Sequence, residues 1–185
     1  AILVTGYLWK LILNPQWGAI AQMLTKLELK DLVKPWLGDE RYALTTVALV
    51  SSWQWVGIPA MMFFAGLQNI PDELLEAAEI DGASKMGKIL SIRLPLIKPV
   101  IGIVTILTFV NNFNAFDVVF AMENANGAPS YSTDLIGTLF YRVGIAGQHP
   151  VGIPNPGLGS AIATSTFIML MAGVVGILGL TKTEK

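Results

Sequence analysis

Along this chain apolar and polar positions fall into blocks rather than alternating. From Tyr42 to Pro71 there is no Asp, Glu, Lys or Arg across 30 residues. The centre of that run, ALTTVALVSSWQWVGIPAMMFFAGL at 43–67, exceeds the ~20 residues that carry a helix across a bilayer. Pro99–Phe116 is a second uncharged run, of 18 residues, which continues through Asp117 into VVFAM. Arg142 and Lys182 bound 39 uncharged residues, and Leu158–Leu180 within them is a third spanning candidate. The opening stretch, AILVTGYLWKLIL, is apolar for about 13 residues, with Lys10 near its end. It is too short to span, and it is read here as the outer part of a helix that begins earlier, making the chain an N-terminally truncated fragment. A signal peptide is the competing reading, but no basic segment precedes the run and no small-residue cleavage site follows it. Backbone inside lipid must be helix or closed barrel, and these runs lack the period-2 alternation of barrel strands. The pattern therefore predicts an all-α polytopic membrane protein, a single transmembrane domain over 1–185 with helices at about 1–13, 42–67, 98–121 and 158–180. A water-soluble fold with buried helices is the alternative, and three long uncharged runs in one chain argue against it.

Three polar segments separate these helices. Asn14–Arg41 suits a short amphipathic helix at a membrane face followed by a turn at Pro35–Gly38. Gln68–Lys98 is the most charged stretch, and Glu123–Pro156 is rich in Gly, Pro, Asn and Ser, with a short helix predicted at Thr133–Val143. Lys85, Lys88, Arg93, Lys98, Lys182 and Lys185 fall on one side of the membrane; Lys26, Lys30, Lys34, Arg41 and Arg142 fall on the other. Six against five favours a cytoplasmic 68–98 only marginally.

Composition narrows the chemistry. Charged residues make up 14% of the chain, against about 25% in an average soluble domain. A net charge of −1 leaves no basic field for nucleic acid. With no cysteine, disulfides, thiolate metal sites and cysteine nucleophiles are excluded, and the single histidine, His149, cannot build a His-rich metal cage. His149 reads as a loop residue exposed to solvent. No acid–base constellation sits within a span, which speaks against a membrane enzyme.

Residues 70–99 read IPDELLEAAEIDGASKMGKILSIRLPLIKP. Pro71 and Asp72 suit a helix start, with acids in the first turn favoured by the helix dipole. Leu74, Ala77 and Ala78 share one face, and Asp72, Glu76 and Glu79 share another. Asp81-Gly82 breaks the helix, and Ser84 is placed to cap a second one carrying Lys85 and Lys88. Pro95 and Pro99 mark the return to the bilayer. The result is a helix–turn–helix knob whose small alanines permit close approach by another surface. An interfacial loop lying on headgroups is the other reading, and the acidic stripe is awkward against anionic lipid.

The loop matches Glu-Ala-Ala, three residues, Gly, nine residues, Ile, one residue, Leu-Pro: Glu76-Ala77-Ala78, Gly82, Ile92 and Leu94-Pro95. In this it resembles the permease subunits of bacterial binding-protein-dependent ABC importers, and IP-E-EAA-IDGAS resembles the carbohydrate-uptake branch. LWKLILNPQWG at 8–18, PWLGDERYALTTV at 35–47, FNAFDVVF at 113–120 and Gly159-Ser160-Ala161 extend the likeness over nearly the whole chain. Met86 and Ile89 depart from it, standing where the family usually has aromatics, and Asn126-Gly127-Ala128-Pro129 matches its Gly-Gly-Pro turn only in part. The resemblance implies a transport subunit of the bacterial inner membrane rather than an enzyme. Its 68–97 loop would be a cytoplasmic coupling loop in which Glu76, Ala77, Ala78, Asp81, Gly82, Ala83 and Ser84 dock on an ABC ATPase dimer. ATP and Mg would be bound by that partner, and this chain has no G-x-x-x-x-G-K-[ST] phosphate loop of its own. A second permease subunit, identical or different, and an external solute-binding protein complete the implied assembly.

A substrate pathway is expected among polar side chains within the spans, which are costly unless they face a cavity or a partner. A continuous helix rising ~1.5 Å per residue from Pro99 sets Asp117 ~27 Å away, with Asn111, Asn112 and Asn114 past the midplane. Asn111, Asn114 and Asp117 would then share one face. Ser51, Ser52, Trp53 and Gln54 form a second group, where Trp53 could stack on a sugar ring. Interhelical hydrogen bonding is the alternative for both groups. Pro59 is read as a kink, and Gly173, Gly176 and Gly179 as a stripe for close helix packing. Rival functions are an importer for a phosphodiester, amino acid or peptide, and an ion-coupled secondary carrier with Asp117 as its cation or proton site.

Overall fold

The computed structural model describes residues 2–181, so Lys182 and Lys185, counted above for orientation, lie outside the described residues. Helices make up the regular structure: α1 (Ile2–Ile12), α2 (Ala19–Lys26), α3 (Glu40–Trp55), α4 (Gly57–Gln68), α5 (Asp72–Ile80), α6 (Lys85–Lys88), α7 (Leu94–Phe113), α8 (Phe116–Glu123), α9 (Ile136–Phe140) and α10 (Pro156–Thr181). A 3-10 turn at Lys30–Leu32 follows α2, and π-helical turns at Ile89–Arg93 and Tyr141–Ala146 follow α6 and α9. The predicted helix at Thr133–Val143 thus runs instead from Ile136 to Ala146, with its second half wound as a π turn. Lys85–Phe113 and Pro156–Thr181 are each long and apolar enough to cross a membrane, and α3 with α4 makes a third such span if the pair counts as one.

Two predicted helices are interrupted, each for a local reason. The 42–67 run breaks at Val56. Pro59 has no N–H and its ring clashes with the carbonyl four residues back, which is that of Trp55, the last residue of α3. The 98–121 run breaks at Asn114–Ala115 between α7 and α8. At its other end helix extends further than expected. The helix expected from about 98 starts earlier, because the π turn at Ile89–Arg93 carries α6 into α7 as one helical run over Lys85–Phe113.

The described backbone forms two compact units, 2–54 with 113–168 and 55–112 with 169–181. The first has a buried core of Leu13, Val47, Val50, Val118, Val119 and Met122, with Trp9, Trp36 and Leu135 packed against it. Within it α1 packs on α8, which meet at Gly6: a β-carbon there would stand 2.5 Å from that of Ala121. In the second unit α4 meets α7 where Gly66 faces Val100, and the Phe109 ring lies against Gly173 of α10. Gly173 thus packs within the chain, while Gly176 and Gly179 have no heavy atom of the described residues within 4 Å of a β-carbon position.

Candidate functional site

The 68–98 segment folds as a helix, a tight reversal and a second helix. α5 starts behind Pro71 with Asp72 and Glu73 in its first turn. It stops at Gly82, whose φ of +77° suits a residue without a β-carbon. There the Gly82 N–H donates to the Glu79 carbonyl (3.0 Å) and the Ala83 N–H to the Ala78 carbonyl (2.8 Å), satisfying carbonyls that the helix end would orphan. Ser84 then caps α6, its Oγ accepting from the Gly87 N–H at 3.1 Å. An ion pair, Lys88 Nζ to Glu79 Oε2 at 3.2 Å, ties α6 to α5 across the reversal. Where the loop joins the spans, a cleft of about 400 Å³ is lined by Phe64, Leu67, Ile70, Asp72, Leu75 and Arg93.

Glu76, Ala77, Asp81, Gly82 and Ser84 are exposed, with Ala78 and Ala83 half-buried. Ile80 is 87% exposed, the highest exposure of any large hydrophobic side chain among the described residues. The knob therefore offers an acidic stripe and an uncovered apolar tip on a braced turn. Ile80 was missed in the sequence because its position, between Glu79 and Asp81, carries no signal separating an inward isoleucine from an outward one.

The pathway candidates fall on α7, α8 and the turn between them, and on α3. Asn111 and Asn112 close α7, while Asp117 lies in the first turn of α8. A shared face for Asn111, Asn114 and Asp117 requires ~100° per residue throughout, and the helix is interrupted at Asn114–Ala115. Asn112, Asn114 and Asp117 are exposed and Asn111 is half-buried. Ser52 and Trp53 are exposed on α3, where the Trp53 indole meets that of Trp9 edge-on at 5.3 Å, so part of its surface serves packing. The buried acceptor without a partner in this group is Gln54 Oε1.

Two polar features between 123 and 146 escaped the sequence reading. Arg142, 3% exposed, pairs with Asp134 at 2.7 Å and lies 4.7 Å over the Tyr131 ring, which stacks on the exposed His149. Glu123, ten residues beyond the Lys85–Phe113 helix, is also buried, and its Oε1 has no hydrogen-bond partner. Burial pushes its carboxyl up from the ordinary 4.5 to about 7, against the opposing pull of the Lys10 ammonium. The sequence signal for Glu123 was its position at the end of the short apolar stretch VVFAM that follows Asp117.

Among the described residues, helices long and apolar enough to cross a membrane and a braced, exposed knob ahead of one of them have the form of an integral membrane protein. Residues 2–181 match the family described as the inner membrane component of binding-protein-dependent transport systems, and the chain belongs to it. It is 33% identical over 178 residues to the arabinooligosaccharides transport system permease protein AraP of Bacillus subtilis, covering 96% of this chain and 54% of that protein. It is 34% identical over 159 residues to the multiple sugar-binding transport system permease protein MsmF of Streptococcus mutans, covering 86% of this chain and 51% of that one. The chain thus spans about half the length of the relatives it matches. The crystal structure of a bacterial ABC transporter involved in import of the acidic polysaccharide alginate has the same fold, with a TM-score of 0.79 at 20% identity over 98% of this chain and 60% of the other.

Proposed function

We propose that the chain is a membrane-spanning subunit of an ATP-driven importer, lining part of the path for a sugar or related solute. The carrying observation is the exposed, braced knob at 72–88, joined without interruption to a spanning helix. A partner's motion at α5 would pass through the Glu79–Lys88 pair and the α6–α7 run into the membrane, without α5 having to unfold. The partners in this reading are a cytoplasmic ABC ATPase dimer holding ATP and Mg, a second permease subunit and an external solute-binding protein. The loop is cytoplasmic and the chain crosses the bacterial inner membrane several times. The names of the arabinooligosaccharide and multiple-sugar relatives support a carbohydrate substrate. A second crystal structure of the alginate transporter, in complex with an alginate pentasaccharide-bound periplasmic protein, supports the binding-protein partner.

The test is ATP hydrolysis by the assembled transporter, stimulated by its binding protein, with and without Gly82→Asp. The variant should assemble, keep its melting temperature within a few degrees, and lose the stimulated activity and uptake together. Undiminished uptake in that variant would overturn the coupling role. Uptake that continues without ATP and fails in Asp117→Asn would establish the ion-coupled carrier instead.

A further inference from the structure

The stretch between α1 and α3 presents apolar side chains that the fold leaves uncovered. On α2, Ile20, Met23, Leu24 and Leu27 share one side at ~100° per residue, with Gln22 and Thr25 on the other. The helix is held to its unit by Ala21, its one buried residue, and by Ile20, which touches the core. Met23 and Leu27 remain 55% and 60% exposed. The chain then reverses at Glu28, whose φ is 61°. The Glu28 N–H donates to the Thr25 carbonyl (3.2 Å) and the Leu29 N–H to the Leu24 carbonyl (2.9 Å), closing the helix end. Trp17 before the helix and Leu29 and Leu32 after it are exposed as well, as are Lys26, Lys30 and Lys34, which recur at four-residue steps.

We infer that residues 17–34 lie in the plane of the membrane boundary, with Met23, Leu27 and their neighbours sunk beneath the headgroups and Lys26, Lys30 and Lys34 on the phosphates of anionic lipid. Continuity is the first ground. The segment is joined at both ends to helices with uncovered apolar side chains, Leu3, Val4 and Leu8 on α1 and Leu44 and Leu49 on α3, so it starts and finishes beside side chains suited to hydrocarbon. Length is the second: eight helical residues rise ~12 Å, too little to enter the bilayer end-on but enough to lie flat. Chemistry is the third. Lysine stems can cover apolar surface while their ammonium groups reach phosphate, and an indole such as that of Trp17 suits headgroup depth. Glu28 and Asp31 leave the stretch with a net charge of only +1, so apolar insertion holds the segment down and the lysines make it sensitive to lipid charge.

These 185 residues contain no cysteine, so single spin labels can be placed at chosen sites once any cysteine elsewhere in the assembly is replaced by serine. Met23→Cys, Leu27→Cys, Gln22→Cys and Thr25→Cys would be labelled in the assembled transporter. The samples go into vesicles of phosphatidylcholine alone and of an equal mixture with phosphatidylglycerol. Labels at 23 and 27 should meet oxygen in preference to a water-soluble nickel chelate, at a depth of about 5–10 Å, while labels at 22 and 25 meet the chelate. Phosphatidylglycerol should deepen the first pair, and replacing Lys26, Lys30 and Lys34 together by Gln should abolish that increment. Equal exposure of all four labels to the chelate would overturn the inference. So would shielding of 23 and 27 from both reagents, the mark of a protein contact. Identical depth in both lipids would overturn the phosphate assignment.

Discussion

Gly82 has a φ of +77° and no heavy atom within 4 Å of where a β-carbon would stand, so any cost of a side chain there comes from backbone alone. Gly82→Ala should destabilise the loop by about 1–2 kcal/mol, the penalty of left-handed backbone for an L-residue, whereas Gly82→Asn should recover much of it. Hydrogen exchange at the Gly82 and Ala83 amides would read the difference, and equal protection in both variants would exclude the conformational explanation. This turn was legible in the sequence because glycine after a helix is a backbone signal that needs no tertiary context. Glu123 was not, because its burial depends on how α8 packs. Its folded-state pKa, about 7, stands above the ordinary 4.5, so the folded state retains a proton that the unfolded chain gives up. Its contribution to stability is therefore fully present below pH 4.5 and lost as pH rises to about 7, a change on the order of 3 kcal/mol. Thermal melts at pH 5 and pH 8 should show that loss in the parent and a smaller one in Glu123→Gln. The same pH difference in both would place the titration elsewhere.

At the scale of elements, the packing of α1 on α8 hinges on Gly6, where the helices come too close for a side chain. Gly6→Val should force them apart at a cost of about 1–3 kcal/mol, seen as a lower melting temperature and early proteolysis of the first helix. Gly57→Ala, with open space around it, is the control that should leave both unchanged. A neutral Gly6→Val would mean that α1 and α8 do not pack this way. Helix identity was readable from uncharged runs, but helix continuity was not. Pro59, read as a kink, stands just past the one-residue break at which the α3–α4 run bends, while the helix expected from about 98 starts earlier, because the π turn at Ile89–Arg93 keeps Lys85–Phe113 continuous through Pro95. Whether a proline ends a helix depends on how the turn before it absorbs the missing hydrogen bond, and hydropathy does not report this. The break at Asn114–Ala115 was hidden for the same reason, so the continuous helix from which a shared face of Asn111, Asn114 and Asp117 was predicted is two helices, α7 and α8.

At the scale of the whole chain, the apolar surface exceeds what the fold covers. α10 has 26 residues, of which Gly159 alone is buried, and it exposes Phe167, Ile168, Met169, Met171 and Val175 near its middle. At ~1.5 Å per residue it is about 39 Å long, more than the ~30 Å hydrocarbon layer, so its ends reach past the layer or the helix tilts. A charge should therefore be tolerated near an end and penalised at the centre. Lysine at the centre of a spanning helix costs about 2.5–3.5 kcal/mol, and the cost falls near the ends, where the side chain can reach the headgroups. Met169→Lys should accordingly lower the fraction of chain that resists extraction by alkaline carbonate, while Ser160→Lys, one turn into the helix, should leave it near the parent value. The contrast tests depth rather than hydrophobicity alone, because both sites receive the same residue on the same helix. Equal losses at the two positions would show that α10 is not centred on the bilayer. No loss at either would show that Met169 faces a polar cavity or a partner rather than lipid, and the span would then belong to the lining of the path.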